Sequence, residues 1–173
     1  LCLKINELLS RANIKSCFIK KYYTNQSDEQ KILENSGKLF KHRKRINSIE
    51  EAINENYKIA LFDDGLQDIS LNYDLEFVCF NNINWIGNGL TIPSGPLREN
   101  LQKLKKYNNV FLSGNGENTD NIKNYILNMD VNINIYDAMY IPLNINEFEK
   151  EEKYLAFSGI GPHKTLISML KIN

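Results

Sequence analysis

Short apolar runs recur along this chain with polar, helix-forming stretches between them, and that alternation limits the folds open to it. The runs are Ser16–Lys20 (SCFIK), Lys38–His42, Lys58–Phe62 (KIALF), Leu75–Phe80 (LEFVCF), Asn109–Leu112, Asn132–Tyr140 and Tyr154–Ser158 (YLAFS). Between them, Asp28–Asn35, a stretch from Ser48 to about Asn56, Leu97–Tyr107 and Thr119–Met129 read as helices. Leu1, Ile5, Leu8 and Leu9 fall at helical spacing ahead of the first run. Ser27 is a plausible cap for the Asp28 helix and Gly37 a plausible stop. Ser48 and Glu51 form an S-x-x-E capping box. Residues 145–152 read as a polar helix or a linker, and a last helix is expected from about Pro162. Strands alternating with helices predict an α/β fold with a largely parallel sheet and flanking helices. In such folds ligands sit beyond the carboxyl ends of the strands.

A chain of 173 residues is long enough for a real core, and 42% apolar with 24% charged residues is ordinary for a globular protein. The 21 basic residues balance the 21 acidic ones, so charge gives no reason to expect nucleic acid as a partner. Cys2, Cys17 and Cys79 are odd in number and share no short spacing, which argues against a disulfide framework or a zinc site. Each has apolar neighbours, so all three are expected as buried thiols in a reducing compartment. No signal peptide is visible, and no apolar run approaches the ~20 residues that span a bilayer. The chain starts at Leu1 inside a helical pattern and stops at Asn173 without a stop signal, so both ends read as cut.

Four segments carry chemistry. In ALFDDGLQ (60–67) an apolar strand ends in Asp63 and Asp64, the place where hard oxygen ligands hold a magnesium ion against nucleotide phosphates. The same Asp-Gly pair also suits a tight turn, and nothing local separates the two readings. In IGNGLTIPSGPLRE (86–99) three glycines and two prolines shape a loop that delivers Arg98 and Glu99 to the start of the next helix. An arginine fork suits phosphate, while a glutamate at a helix start is also explained by the dipole alone. Asp28 in SDEQ (27–30) lies at a helix start, where capping by itself would favour it. AFSGIGPHK (156–164) is a strand-to-helix turn able to bind an anion, and His163 in it reads as a surface residue.

Together and in this order, these segments resemble the tetraacyldisaccharide 4'-kinase family of lipid A biosynthesis. The resemblance is carried by Asp63-Asp64-Gly65-Leu66-Gln67, by Gly87-Asn88-Gly89 through Gly95-Pro96-Leu97-Arg98-Glu99, by Ala156 through Gly161, and by Asp28-Glu29. It implies a P-loop NTPase-like sheet, incomplete at both ends. It also implies one partial kinase domain over 1–173, with a core α/β region of about 1–107 and a C-terminal region of about 108–173. The implied reaction moves the γ-phosphate of ATP, with Mg²⁺, to the 4'-hydroxyl of a tetraacylated glucosamine disaccharide at the cytoplasmic face of the bacterial inner membrane. Membrane contact would be peripheral, through segments outside this chain. Asp63 and Asp64 would serve metal and nucleotide, and Asp28 would help activate the sugar hydroxyl. Gln67, Arg98 and Glu99 would line the phosphate and metal site, with Glu99 also a metal ligand.

The departures from that family are specific. Its Walker A loop is expected just before Leu1 and its catalytic histidine beyond the AFSGIG segment, and His163 does not align with that histidine. Gln30 stands where a proline is usual, and Lys20-Lys21-Tyr22-Tyr23 stands in place of Ser-Arg-Gly-Tyr. Two other readings remain open at this point: another P-loop kinase or ATPase, and a non-catalytic α/β binding module. The 173-residue chain alone is expected to show negligible kinase turnover, because without the loop's amides and lysine nothing cradles the β- and γ-phosphates. A steady-state assay checks this, and robust turnover would refute it.

Overall fold

A computed structural model of the chain describes residues 1–22, 27–130, 132–141, 147, 149, 151–155 and 167. The chain divides into two compact units, Leu1–Tyr73 and Asp74–Asn173. Each carries its own three-stranded sheet, and every strand pair is parallel, as the α/β alternation leads one to expect.

In the first unit the order is α1 (Cys2–Arg11), β1 (Ser16–Lys21), α2 (Ser27–Ser36), β2 (Leu39–His42), α3 (Arg45–Asn54) and β3 (Ile59–Phe62). The sheet order is β2-β1-β3, so β1 is central. Its side chains alternate between faces, as strand geometry demands. Cys17 and Ile19 pack with Phe40 and Ala52, against the α3 face. Phe18 points the other way, towards Asn6 of α1 and Gly37 after α2. Burial pushes the Cys17 thiol up to about 11, with the charge of Glu55 adding to it, so this cysteine behaves as a small apolar side chain.

The second unit runs β4 (Val78–Asn81), a 3-10 turn (Leu101–Lys106), β5 (Asn109–Gly114), α4 (Thr119–Met129) and β6 (Asn134–Met139), with sheet order β4-β5-β6. Its core is Leu104, Val110, Leu112, Ile122, Ile126 and Ile133. Val78 and Phe80 of β4 pack against that cluster, which turns Cys79 to the opposite face. Cys79 is therefore exposed and Cys2 only partly buried, which corrects the expectation of buried thiols at those two positions.

Three further expectations need correction. The capping box at Ser48 is not used: α3 begins three residues earlier, at Arg45, and Ser48 lies wholly buried inside it. Glu51 reaches His42 instead, with Oε2 2.8 Å from Nε2. The helix expected over Leu97–Tyr107 shortens to the 3-10 turn, because Leu97 gives its N–H and C=O to pairing with Leu90 and Ile92. Tyr154 and Leu155 are exposed and in no strand. The rest of the Tyr154–Ser158 run, Gly159 to Gly161, Pro162 and His163 lie outside the described residues.

The placement of the second core is directly testable. Ile126 is fully buried and Ile53 is 64% exposed. Ile126→Ala is expected to cost about 2–5 kcal/mol in urea denaturation. Ile53→Ala should stay within roughly 0.5 kcal/mol of the parent protein. Equal losses would contradict the described packing.

Candidate functional site

The strand order of the first unit brings two polar strand ends together. From β1 the chain passes through α2 to β2 on one side, then crosses through α3 to β3 on the other side of β1. The carboxyl ends of β1 and β3 therefore lie side by side, at the end of the sheet where α/β folds bind ligands. In register, Ile19 pairs with Phe62, and the Asp63 N–H donates to the Ile19 carbonyl at 3.3 Å. Continuing one residue sets Lys20 beside Asp63.

Those two side chains form the centre of the site. Lys20 Nζ donates to Asp63 Oδ2 at 2.6 Å and to Glu29 Oε2 at 2.6 Å. The Lys20 side chain is 3% exposed, whereas Asp63 is 36% and Glu29 63% exposed. Burial pushes the ammonium towards losing its proton. Hydrogen bonds and charge from Asp63 and Glu29 outweigh that and hold its pKa above the ordinary lysine value. Glu29 stands with Asp28 in the first turn of α2. One buried cation thus ties the acidic start of α2 to the acidic end of β3. Gln30 follows Glu29 and is buried, with its Oε1 3.5 Å from Lys41 Nζ.

The Asp63-Asp64-Gly65 segment is a turn, and a second cation shapes it. Asp64 has φ +55°, a conformation that Asp tolerates better than most residues. Its carbonyl accepts from Arg45 Nη2 at 2.8 Å, while Arg45 Nη1 reaches Asp68 Oδ2 at 2.8 Å. The Gly65 carbonyl accepts from the Tyr73 hydroxyl at 3.0 Å and from the Asp68 N–H. The turn is held through backbone carbonyls and Asp68, and Asp64 itself is exposed at the strand end. Gln67 is exposed in the same loop. The tight-turn and carboxylate-site readings of ALFDDGLQ are therefore compatible: one segment does both.

In the second unit the 86–99 loop is stapled to itself. Leu97 N donates to Leu90 O at 3.1 Å, Ile92 N to Leu97 O at 2.8 Å, and Asn88 Nδ2 to Ser94 O at 2.8 Å. A Cβ on Gly95 would strike the Leu90 carbonyl, and Gly87 has φ +59° with its missing Cβ facing the Pro96 ring. Buried Leu97 anchors the loop end and leaves Arg98 exposed. Glu99 Oε2 lies 3.0 Å from Lys103 Nζ. Neither residue sits in a helical first turn, as the sequence suggests they should. The 3-10 turn starts after them, and Asn100 caps it by accepting from the Gln102 N–H at 2.9 Å. The helix-dipole account of Glu99 therefore does not apply.

Asp63 and Asp64 bring carboxylate oxygens to one strand end, the donor type that magnesium takes. Among the described residues no three His, Cys, Asp or Glu side chains gather as a metal cage. Sequence reasoning missed Lys20, Arg45 and Asp68. A lysine closing an apolar run, two positions after Phe18 and so on its face, was a readable sign for Lys20. Nothing local marks Arg45 or Asp68, whose partners are 19 to 23 residues apart in sequence.

Comparison with known proteins agrees with the motif order. Residues 21–173 match the family model described as Tetraacyldisaccharide-1-P 4'-kinase. The whole chain is 60% identical to the tetraacyldisaccharide 4'-kinase of Pelagibacter ubique (strain HTCC1062), of which it covers 55%. Proteins of the same name from Wigglesworthia glossinidia brevipalpis and Colwellia psychrerythraea (strain 34H / ATCC BAA-681) are 32% and 33% identical. Those matches cover 67% and 73% of this chain, and 31% and 38% of the relatives. The chain thus spans about half or less of the relatives it matches. No solved structure matches it.

The Arg45 anchor yields two expectations. Removing it strands the partly buried Asp68 carboxylate, so Arg45→Met should cost about 2–3 kcal/mol in chemical denaturation. Hydrogen bonds from Ser70 and then Arg45 pull the Asp68 carboxyl down to about 2. Its folded pKa lies below its unfolded one, so its stabilisation is complete above about pH 4 and is lost as pH falls towards about 2. Over that window the melting temperature should fall more steeply for the parent protein than for Asp68→Asn. Parallel curves would dismiss this pairing.

Proposed function

Because this chain belongs to the tetraacyldisaccharide-1-P 4'-kinase family, we propose that the protein carrying it phosphorylates the 4'-hydroxyl of a tetraacyldisaccharide 1-phosphate with ATP. The observation that supports this most is Asp63 and Asp64 at the tip of β3, beside the end of β1, the end of the sheet at which α/β folds bind ligands. Phosphoryl transfer asks a protein for positioning and charge neutralisation more than for covalent chemistry. The groups of this chain suit those tasks.

In this reading Asp63 and Asp64 hold the magnesium–nucleotide complex. Magnesium, when bound, offsets phosphate charge and orients the nucleotide. Asp28, exposed in the first turn of α2, accepts the proton of the sugar hydroxyl at its carboxylate. Gln67 contributes an amide beside the turn. Arg98, presented by the stapled loop, supplies a planar fork for phosphate oxygens. Glu99 is assigned to the metal, a role in which Lys103 shares its carboxylate. Among the described residues no helix is long and apolar enough to cross a membrane. Contact with the cytoplasmic face of the inner membrane is assigned to segments outside this chain.

Asp64→Asn in the full-length protein tests the assignment, since asparagine tolerates the same left-handed backbone while removing the charge. With a lipid disaccharide acceptor and mass detection of the 4'-phosphorylated product, kcat should fall by at least about 100-fold, as expected when transition-state electrostatics are lost. Near-normal turnover would remove Asp64 from the chemistry, and absence of that product from the parent protein would remove the substrate.

A further inference from the structure

Lys20 is the most enclosed charge in the first unit, and the family resemblance gives it no role: the family has Ser-Arg-Gly-Tyr where this chain has Lys20-Lys21-Tyr22-Tyr23. Burying an ammonium is costly unless it is paired, and lysine is almost never fully buried otherwise. Here both partners are known, and neither is incidental. Asp63 ends β3, and Glu29 adjoins Asp28 in the first turn of α2. Phe18 and Lys20 share one face of β1, and on that face Lys20 meets Glu29 of α2 and Asp63 at the end of the strand next to it. The register of β1 with β3 then sets Asp63 beside it.

Two consequences follow from one ammonium contacting two carboxylates at 2.6 Å each. The first turn of α2 is tethered to the tip of β3 through a buried cation rather than through mobile surface contacts. One oxygen of Asp63 is already neutralised before any divalent cation arrives, so the cation must share that carboxylate with Lys20.

We propose that Lys20 is a positioning residue for phosphoryl transfer, holding the Asp28–Glu29 turn against Asp63 and setting how strongly the Asp63 end of the site attracts magnesium. This rests on the kinase reading for its catalytic part, whereas its metal part can be read without turnover. Arginine in place of Lys20 keeps the charge, and methionine keeps the stem while removing it.

The experiment compares Lys20→Met, Lys20→Arg and Glu29→Gln in the full-length protein. Melting temperature is followed against MgCl₂ with a non-hydrolysable ATP analogue, and kcat and KM are measured with the lipid acceptor. Lys20→Met should reach half of its magnesium-induced melting shift at several-fold lower MgCl₂ than the parent, because two carboxylates have lost their internal cation. Its kcat should fall roughly 10- to 100-fold with KM for the lipid changed less than about threefold, the pattern of lost transition-state positioning. Lys20→Arg should recover most of kcat. Glu29→Gln leaves the Lys20–Asp63 pair in place, and its kcat should fall about fivefold or more with little change in melting temperature. If Lys20→Met does not fold, Glu29→Gln decides. Unchanged kcat in Glu29→Gln, or an unshifted magnesium midpoint in a folded Lys20→Met, overturns the proposal. A parent protein that makes no 4'-phosphorylated product sinks the kinase reading instead, and the magnesium midpoint then judges Lys20 alone.

Discussion

The parallel pairing of β1 with β3 is the constraint on which the first unit depends. Its register, Ser16 with Ile59 through Ile19 with Phe62, decides which polar residues meet when the apolar runs end. A slip of one residue would turn Lys20 towards the Cys17–Phe40–Ala52 core and leave Asp63 without its cation. The apolar cluster favours this register, since it buries Cys17 and Ile19 wholly on one face of β1. Packing energy on one side of β1 thus fixes electrostatics on the other.

The two buried cations of this unit, Lys20 and Arg45, do different work. Lys20 sits between carboxylates and joins α2 to β3. Arg45 binds the Asp64 carbonyl and Asp68, and so fixes the backbone of the Asp63-Asp64-Gly65 turn. This also explains why the Ser48 capping box is overridden. Once Arg45 is anchored, extending α3 by one turn buries Ser48 against the sheet side, even though its hydroxyl finds no hydrogen-bond partner there among the described residues. A local cap is worth about 1 kcal/mol, which the two buried hydrogen bonds of Arg45, one to the Asp68 carboxylate and one to the Asp64 carbonyl, together exceed.

In the second unit the same competition between local signal and longer contacts shapes the glycine- and proline-rich loop. Its composition announces a defined backbone. The pairing of Leu97 with Leu90 and Ile92 then removes Leu97 from any helix, and Asn100 takes the cap. Arg98 and Glu99 are consequently presented by a stapled loop, which restrains them through backbone hydrogen bonds rather than a helix dipole.

Element order, the parallel α/β class and the family were legible in the residues, because apolar periodicity and strand-end motifs are short-range properties. KIALF-DDG reads as a strand ending in carboxylates whatever surrounds it, and GPLRE reads as a loop delivering an arginine. Lys20's two partners, the Arg45 anchor, the true start of α3 and the exposed Cys79 were settled only by tertiary structure. Each depends on side chains 9 to 43 residues apart meeting across a sheet or on which strand face meets the core. Such meetings follow from register and burial, which no window of neighbouring residues contains.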